Sequence, residues 1–206
     1  MAERLEKLID KATPRYTITL PLTKITVTYR PFLVKEEKVL LISTADLADD
    51  DIVGRYRAIL LLLENCTDLI DVGNLPLSEV DWLFVQIRSK SVNNIIKANY
   101  TCPTSGDPKI MLTDKMGIIL SPPSLNDTIS CHNNKNNEVD IFCVLKKTIQ
   151  EIFTEDYTIT RKEMNEDDLT EFVDSLLKKQ TDKIYEYYSN IPRIQSYTLL
   201  GTAHKN

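Results

Sequence analysis

Near the start of the chain, apolar residues and threonines alternate in two short stretches, Tyr16-Thr17-Ile18-Thr19-Leu20 and Ile25-Thr26-Val27-Thr28-Tyr29. A period of two predicts strands with one face on a core, and Pro21 to Lys24 between them suit a hairpin loop. Arg30-Pro31 ends the hairpin. Residues 1–12 carry Leu5, Leu8 and Ile9 as a short amphipathic stretch that Pro14 stops. Leu33 to Ile42 reads as a helix. The strongest helical pattern follows, with Ile52, Tyr56, Ile59, Leu60 and Leu63 recurring at helical spacing as far as Cys66. Asp49, Asp50 and Asp51 cap its start, while Leu61 and Leu62 widen the stripe enough to predict burial on most sides.

Asp71 to Pro76 predicts a turn, and Ser78 with Asp81 a capping-box start for a helix whose face is Val80, Leu83, Phe84 and Ile87. Ile95 to Cys102 alternates as a strand, and Lys109 to Leu112 pairs with Gly117 to Leu120. Residues 121–138 read as loop, with Asn133 to Asn137 as its tip. Val139, Phe142, Cys143, Ile149, Ile152 and Phe153 fit one helix. A second helix begins near Asn165 to Asp168 and carries Leu169, Phe172, Val173, Leu176, Leu177, Ile184 and Tyr188 until Ile191-Pro192 stops it. The predicted class is α+β: an N-terminal β-hairpin, a helical core, a small β-rich module and a C-terminal helical pair. The segments are 1–94, 95–138 and 139–206, the last packing back on the core as one compact unit.

Composition narrows the function classes. The 206 residues are 42% hydrophobic and 27% charged, which places the chain among globular proteins. Five glycines, none closer together than Gly106 and Gly117, exclude a glycine-rich phosphate loop. A net charge of −5, with no more than two adjacent basic residues, argues against a nucleic-acid stripe. Met1 to Lys7 is charged without an apolar core, so no secretory leader is expected. The longest apolar run, Ala58 to Leu63, is far too short for a membrane segment. Cys66, Cys102, Cys131 and Cys143 are sparse for a disulfide scaffold, so reduced thiols in a cytoplasmic setting are expected.

Candidate chemistry is thin. Cys102-Pro103-Thr104-Ser105-Gly106 resembles half a zinc knuckle, but Ser105 stands where a second cysteine would be needed to reach the ion. A site of Cys102, Cys131 and His132 is the one metal arrangement the sequence offers, against a plain reading of Cys102 as a free thiol at a strand end. Cys66 and Cys143 on apolar helix faces read as small buried hydrophobes. No nucleophile–base pair stands out, so no enzyme and no cofactor is expected. The run from Arg30 to Lys38 mixes large apolar groups with dense charge, as a partner-facing surface or as an ordinary strand-to-helix junction. Trp82, Tyr185, Tyr187 and Tyr188 partly escape the core stripes, and such aromatics are enriched at protein interfaces.

Several blocks together carry a resemblance. They are Pro14 to Pro21, Tyr29-Arg30-Pro31-Phe32-Leu33-Val34-Lys35-Glu36-Glu37-Lys38, Asp81 to Val92, Tyr100-Thr101-Cys102 and Ile184 to Arg193. The chain resembles the baseplate hub assembly proteins of T-even-type contractile-tailed bacteriophages, the gene-twenty-six product type. The resemblance implies a non-enzymatic role, as chaperone or hub subunit, in host cytoplasm during assembly or in the virion tail baseplate. Its partners would be other phage baseplate hub proteins, with neither nucleic acid nor membrane. Ser105 and a tail from Tyr197 without a cysteine pair depart from relatives that can hold zinc. Tyr29, Arg30, Phe32, Lys35, Trp82 and Tyr187 are the expected partner contacts.

Overall fold

The computed structural model describes residues 12–45, 51–92, 95–101, 108–133, 138–191 and 193–200. The expected N-terminal amphipathic stretch, Asp49, Asp50, Cys102 and most of the Asn-rich tip lie outside them. The architecture is α+β, with the hairpin in place. The chain divides into two units, residues 1–99 with 194–206 and residues 100–193.

The first unit opens with strands β1 (Tyr16–Thr19) and β2 (Thr26–Tyr29), antiparallel with Tyr16 opposite Tyr29 and Ile18 opposite Val27. Their rings at 16 and 29 lie 5.6 Å apart between centroids. Leu20 N–H donates to the Ile25 carbonyl at 2.8 Å and closes the loop. Inside it Lys24 takes φ 60°, a left-handed conformation that costs a side-chain-bearing residue about 1–2 kcal/mol. The loop is held from outside. Glu79, fully buried, accepts from the amides of Leu22 at 2.6 Å and Thr23 at 2.9 Å and from the Thr23 hydroxyl at 2.8 Å.

Three helices follow: α1 (Val34–Ala45), α2 (Ile52–Cys66) and α3 (Leu77–Ser91), with a 3-10 turn over Val72–Asn74. Asp51 caps α2 by accepting from Gly54 N–H, as the acidic run predicts. Thr28 and Asp68 exchange two hydrogen bonds, which fasten β2 to the chain leaving α2. The expected stripe on α3 is buried: Val80, Leu83, Phe84 and Ile87. Two expectations fail. Leu62 is buried but Leu61 is 44% exposed, so α2 is solvated on that side. The Ser78–Asp81 capping box does not form, because α3 starts at Leu77 behind Pro76 and leaves Ser78 Oγ buried without a hydrogen bond among the described residues. Strands β3 (Ile95–Thr101) and β10 (Arg193–Leu200) pair as a two-stranded sheet, and β10 escaped the sequence pattern.

The second unit is built on a four-stranded antiparallel sheet in the order β4 (Lys109–Met111), β5 (Met116–Leu120), β8 (Ile149–Thr154) and β9 (Thr158–Thr160). Residues 121–138, expected as loop, contain helix α4 (Leu125–Ser130), started by a Ser124–Asp127 capping box. A two-residue ladder follows, β6 (His132–Asn133) with β7 (Glu138–Val139). The single helix expected from Val139 to Phe153 is α5 (Ile141–Thr148) turning directly into β8. The apolar spacing suits either state, and pairing along β5 decides in favour of strand for the β-branched run from Ile149. The long C-terminal helix is two, α6 (Glu166–Asp174) and α7 (Lys178–Ser189). Asn165 and Asp168 form the capping box of α6, and the Gln180 carboxamide accepts from Leu177 N–H where α7 begins.

The core of this unit joins sheet and helices: Leu112, Ile118, Leu120, Leu145, Ile149, Leu169, Val173 and Ile184. Residues 141–189 thus complete their burial against strands 109–120. Gly117, opposite Phe153, has no room for a side chain. A Cβ there would meet Phe153 Cζ at 2.3 Å and the Ile110 carbonyl at 2.7 Å. Lys109 Nζ sits 4.4 Å above the same ring.

Glu79→Ala strips three donors of one buried acceptor and should cost about 3 kcal/mol, read as a lower urea midpoint with an unchanged m-value. Gly117→Ala overpacks the sheet and should cost about 1–3 kcal/mol, seen as a fall in Tm of several degrees.

Candidate interaction surface

The junction after the hairpin turns on one buried acid. Glu36 is the third residue of α1 and accepts from Leu33 N–H at 2.6 Å, the helix-closing half of a capping box. Its other oxygen faces Arg30 at 3.0 Å, with Lys35 at 3.7 Å. Burial alone would raise the Glu36 pKa, but the Arg30 hydrogen bond, the Leu33 amide and the two cationic charges bring it below the ordinary value. Arg30 also donates to the carbonyls of Pro31 at 3.0 Å and Asn65 at 2.9 Å, so one guanidinium fixes α1 against the end of α2. Phe32 N–H donates to Ser91 Oγ at 2.9 Å, which ties the same junction to the last turn of α3.

This anchoring holds up an apolar surface. On α1, Val34, Leu41 and Ile42 are 65%, 60% and 69% exposed, on the helix face that also carries Lys35 and Lys38. Between α1 and α2 lies a cavity of about 160 Å³, floored by Leu40, Ala58 and Leu62 and bordered by Val39, Leu61 and Lys35. Exposed apolar groups in such number on one helix make it a candidate contact surface.

The expected contact residues fall in different settings. Tyr29 is only 4% exposed and packs in the hairpin, where burial, then Tyr16, raises its phenol pKa. Arg30 is the half-buried clamp, Lys35 is exposed beside it, and Phe32 and Trp82 are half-buried. Tyr187 belongs to the second unit, half-buried on α7, with its hydroxyl donating to the Leu120 carbonyl at 3.4 Å and its pKa pushed to about 12 by burial. The junction residues Arg30, Phe32 and Lys35 are thus gathered at one place in the first unit, and Tyr187 belongs to the second.

The metal reading is corrected. Cys131 forms a disulfide with Cys143, across a Cα separation of 5.5 Å, so neither sulfur is a thiolate ligand or a free thiol. The end of α4 and the first turn of α5 bring the two together, which their count and spacing do not reveal. Among the described residues, no group of three or more His, Cys, Asp and Glu is arranged to hold a metal ion. His132 lies half-buried in β6 rather than in open loop. Cys66 remains free and buried, its thiol pKa pushed up to about 11 chiefly by burial, as expected of an inert cysteine.

Asp81, expected only as half of a capping box, carries a shifted carboxyl instead. Burial on α3 pushes its carboxyl up to about 6, and Tyr56 on α2 is raised to about 12 by burial and then by the Asp81 charge. An ionisable group kept where its charged form is disfavoured is a mark of functional surfaces.

The described scaffold is thus α+β, with an exposed apolar helix face beside the Arg30–Glu36 ion pair. The chain belongs to the T4 bacteriophage base plate protein family, which it matches over residues 13–111 and 104–199. No curated protein and no solved structure matches it significantly. Among the described residues, no helix is long and apolar enough to cross a membrane.

Asp81 and Glu36 have opposite pH windows. A raised acid costs stability once pH climbs from its unfolded value near 3.8 through about 6, so Asp81→Asn should stabilise by about 1–3 kcal/mol at pH 7 and by only about 0.5 kcal/mol at pH 4. The Glu36 contribution is present above about pH 4.5 and is lost as pH falls through its lowered value. Urea titrations of wild type and Asp81→Asn at both pH values check the sign.

Proposed function

We propose that this chain is a non-enzymatic assembly protein of the phage tail baseplate hub, acting as chaperone or hub subunit by binding other hub proteins. The observation that carries the reading is the exposed apolar face of α1 beside the Arg30–Glu36 clamp, in a chain of the base plate family. The Tyr29 to Lys38 block, which forms this junction, is also the most specific part of the resemblance to hub assembly proteins. Leu41 and Ile42 are the side chains a partner would cover, with Phe32, Lys35 and Trp82 beside them as contacts and Tyr187 as a contact of the second unit. Arg30 and Tyr29 act from beneath by holding the surface in shape. The protein works in host cytoplasm during assembly and is carried into the virion tail baseplate if it is a subunit. Neither nucleic acid nor membrane takes part.

The test is co-purification with baseplate hub proteins from infected cells. Leu41→Asp with Ile42→Asp should cut recovery at least tenfold while Tm stays unchanged, because both side chains already face solvent. Phe32→Asp and Trp82→Asp should do the same in a chain that still folds. Undiminished recovery with the Leu41/Ile42 pair replaced would place the contact elsewhere. Quantitative mass spectrometry of assembly intermediates and mature particles then separates the two roles, since a subunit persists at a fixed ratio and a chaperone is lost.

A further inference from the structure

The chain leaving α2 carries one apolar side chain wholly into solvent. Ile70 is fully exposed, more so than any other large apolar residue among those described. Its position is nevertheless fixed from both sides. Asp68 N–H donates to the Thr28 carbonyl at 3.0 Å, and the Asp68 carboxylate accepts from Thr28 N–H at 2.9 Å. Two residues beyond Ile70, Val72 is fully buried and starts the 3-10 turn. Asp68 and Asp71, both exposed, flank the isoleucine, and Asp71 accepts from the Asn74 carboxamide. The result is a preset knob, a β-branched side chain between two carboxylates with little left to order on binding.

The same unit carries a matching hole. Between α1 and α2, small Ala58 leaves room for the cavity of about 160 Å³, with Leu40 and Leu62 completing its floor. Val39 and Leu61, both exposed, form its lips. An apolar cavity of about 150 Å³ takes a benzene-sized group, so one isoleucine side chain fits. Exposed Lys35 stands at the mouth. Its neighbour Glu36 is held closer by Arg30, at 3.0 Å against 3.7 Å, which leaves the ammonium able to meet another carboxylate. On the helix stripes beside the lips, exposed Lys38 and Arg57 outnumber exposed Glu64. An apolar hole with a cationic rim calls for an apolar side chain with acidic neighbours.

We propose that the occupant is Ile70 of a second copy of this chain, seated in the α1–α2 cavity with its flanking Asp68 and Asp71 beside Lys35. Asn65 lines the cavity and Ile70 follows five residues later, so at most about 18 Å of chain separates hole from knob. Knob and hole so close on one unit suit a reciprocal two-fold contact, in which each copy fills the other. The pair is weak, because one anchor on each side buries little area. Leu41 lies about 200° round α1 from Val39 and stays open to a different protein. The inference goes beyond the hub-assembly reading and does not depend on it.

Sedimentation velocity on the purified full chain, from about 5 to 300 µM, covers the range of a small transient interface. Wild type should pass from monomer to dimer across it. Ile70→Asp should raise the dissociation constant at least tenfold with Tm unchanged, since Ile70 already faces solvent. Leu61→Trp fills the hole from one lip and should do the same; Val39→Trp repeats the test from the other lip if Leu61→Trp folds poorly. Lys35→Glu should weaken the dimer at least threefold. A mixture of Ile70→Asp and Leu61→Trp chains retains one intact knob and one intact hole, so it should associate more than either variant alone. Wild type that stays monomeric throughout, a dimer indifferent to Ile70→Asp or Lys35→Glu, or a mixture no better than its components would overturn the proposal. A monomeric wild type whose Leu61→Trp variant loses hub proteins on co-purification would assign the cavity to a hub protein. That result ends the self-pairing and leaves the hub-assembly reading standing.

Discussion

The first unit depends on a carboxylate without water. Glu79 is buried at the start of α3 and spends its lone pairs on three donors of the hairpin loop. Nothing else described reaches from that helix to both Leu22 and Thr23, and the loop contains the left-handed Lys24, which a two-stranded hairpin would not hold unaided. A buried charge is tolerated only when its hydrogen-bonding capacity is filled, so helix and hairpin specify each other's position. The same device recurs at the next junction, where Glu36 takes Arg30 and the Leu33 amide. Two acids within the first turns of two helices therefore set the geometry of everything between residues 20 and 40.

Much of the fold was legible because it is written locally. The Thr alternation of β1 and β2, the Asp51 cap, the α3 stripe and the Asn165–Asp168 box are short-range signals, and each gives the observed element. What was not legible is tertiary. The run from Val139 to Phe153 has helical spacing throughout, yet β5 claims its second half as a strand. Strand β9 depends on β8 in the same way. The Ser175–Leu177 break leaves the apolar period nearly intact, so α6 and α7 read as one. The site was partly legible: Arg30 and Lys35 were named, but Glu36, between them in function, was not. Leu41 and Ile42 were taken into a mixed helix without a face, because only the packing of α1 on α2 decides which side is left over. The disulfide was invisible for the same reason, since the turn from α4 to α5 alone brings its sulfurs together.

The exposed apolar face of α1 stands on a firmly tied base. Apolar side chains on α1 would fold inward on a looser helix. Here the Arg30 guanidinium, bound to two carbonyls and a carboxylate, ties the start of α1 to the end of α2. Solubility is sacrificed locally, and the net charge of −5 over the whole chain restores it. The half-buried Asp81 beside half-buried Trp82 shows a similar compromise on α3, with stability given up at neutral pH.

The order of the units along the chain sets an order in time. Residues 100–193 are continuous, whereas the first unit is interrupted and resumes only at residue 194. Strand β3 must therefore leave the ribosome and wait for β10, about ninety residues later, before its ladder can close. At about 5–20 residues per second that delay is on the order of ten seconds, ample for the second unit to fold first. During it β3 presents an unpaired edge, the kind of backbone that captures strands from other chains. A nascent chain of this design is most vulnerable to mispairing late in its synthesis, after most of its mass is already folded.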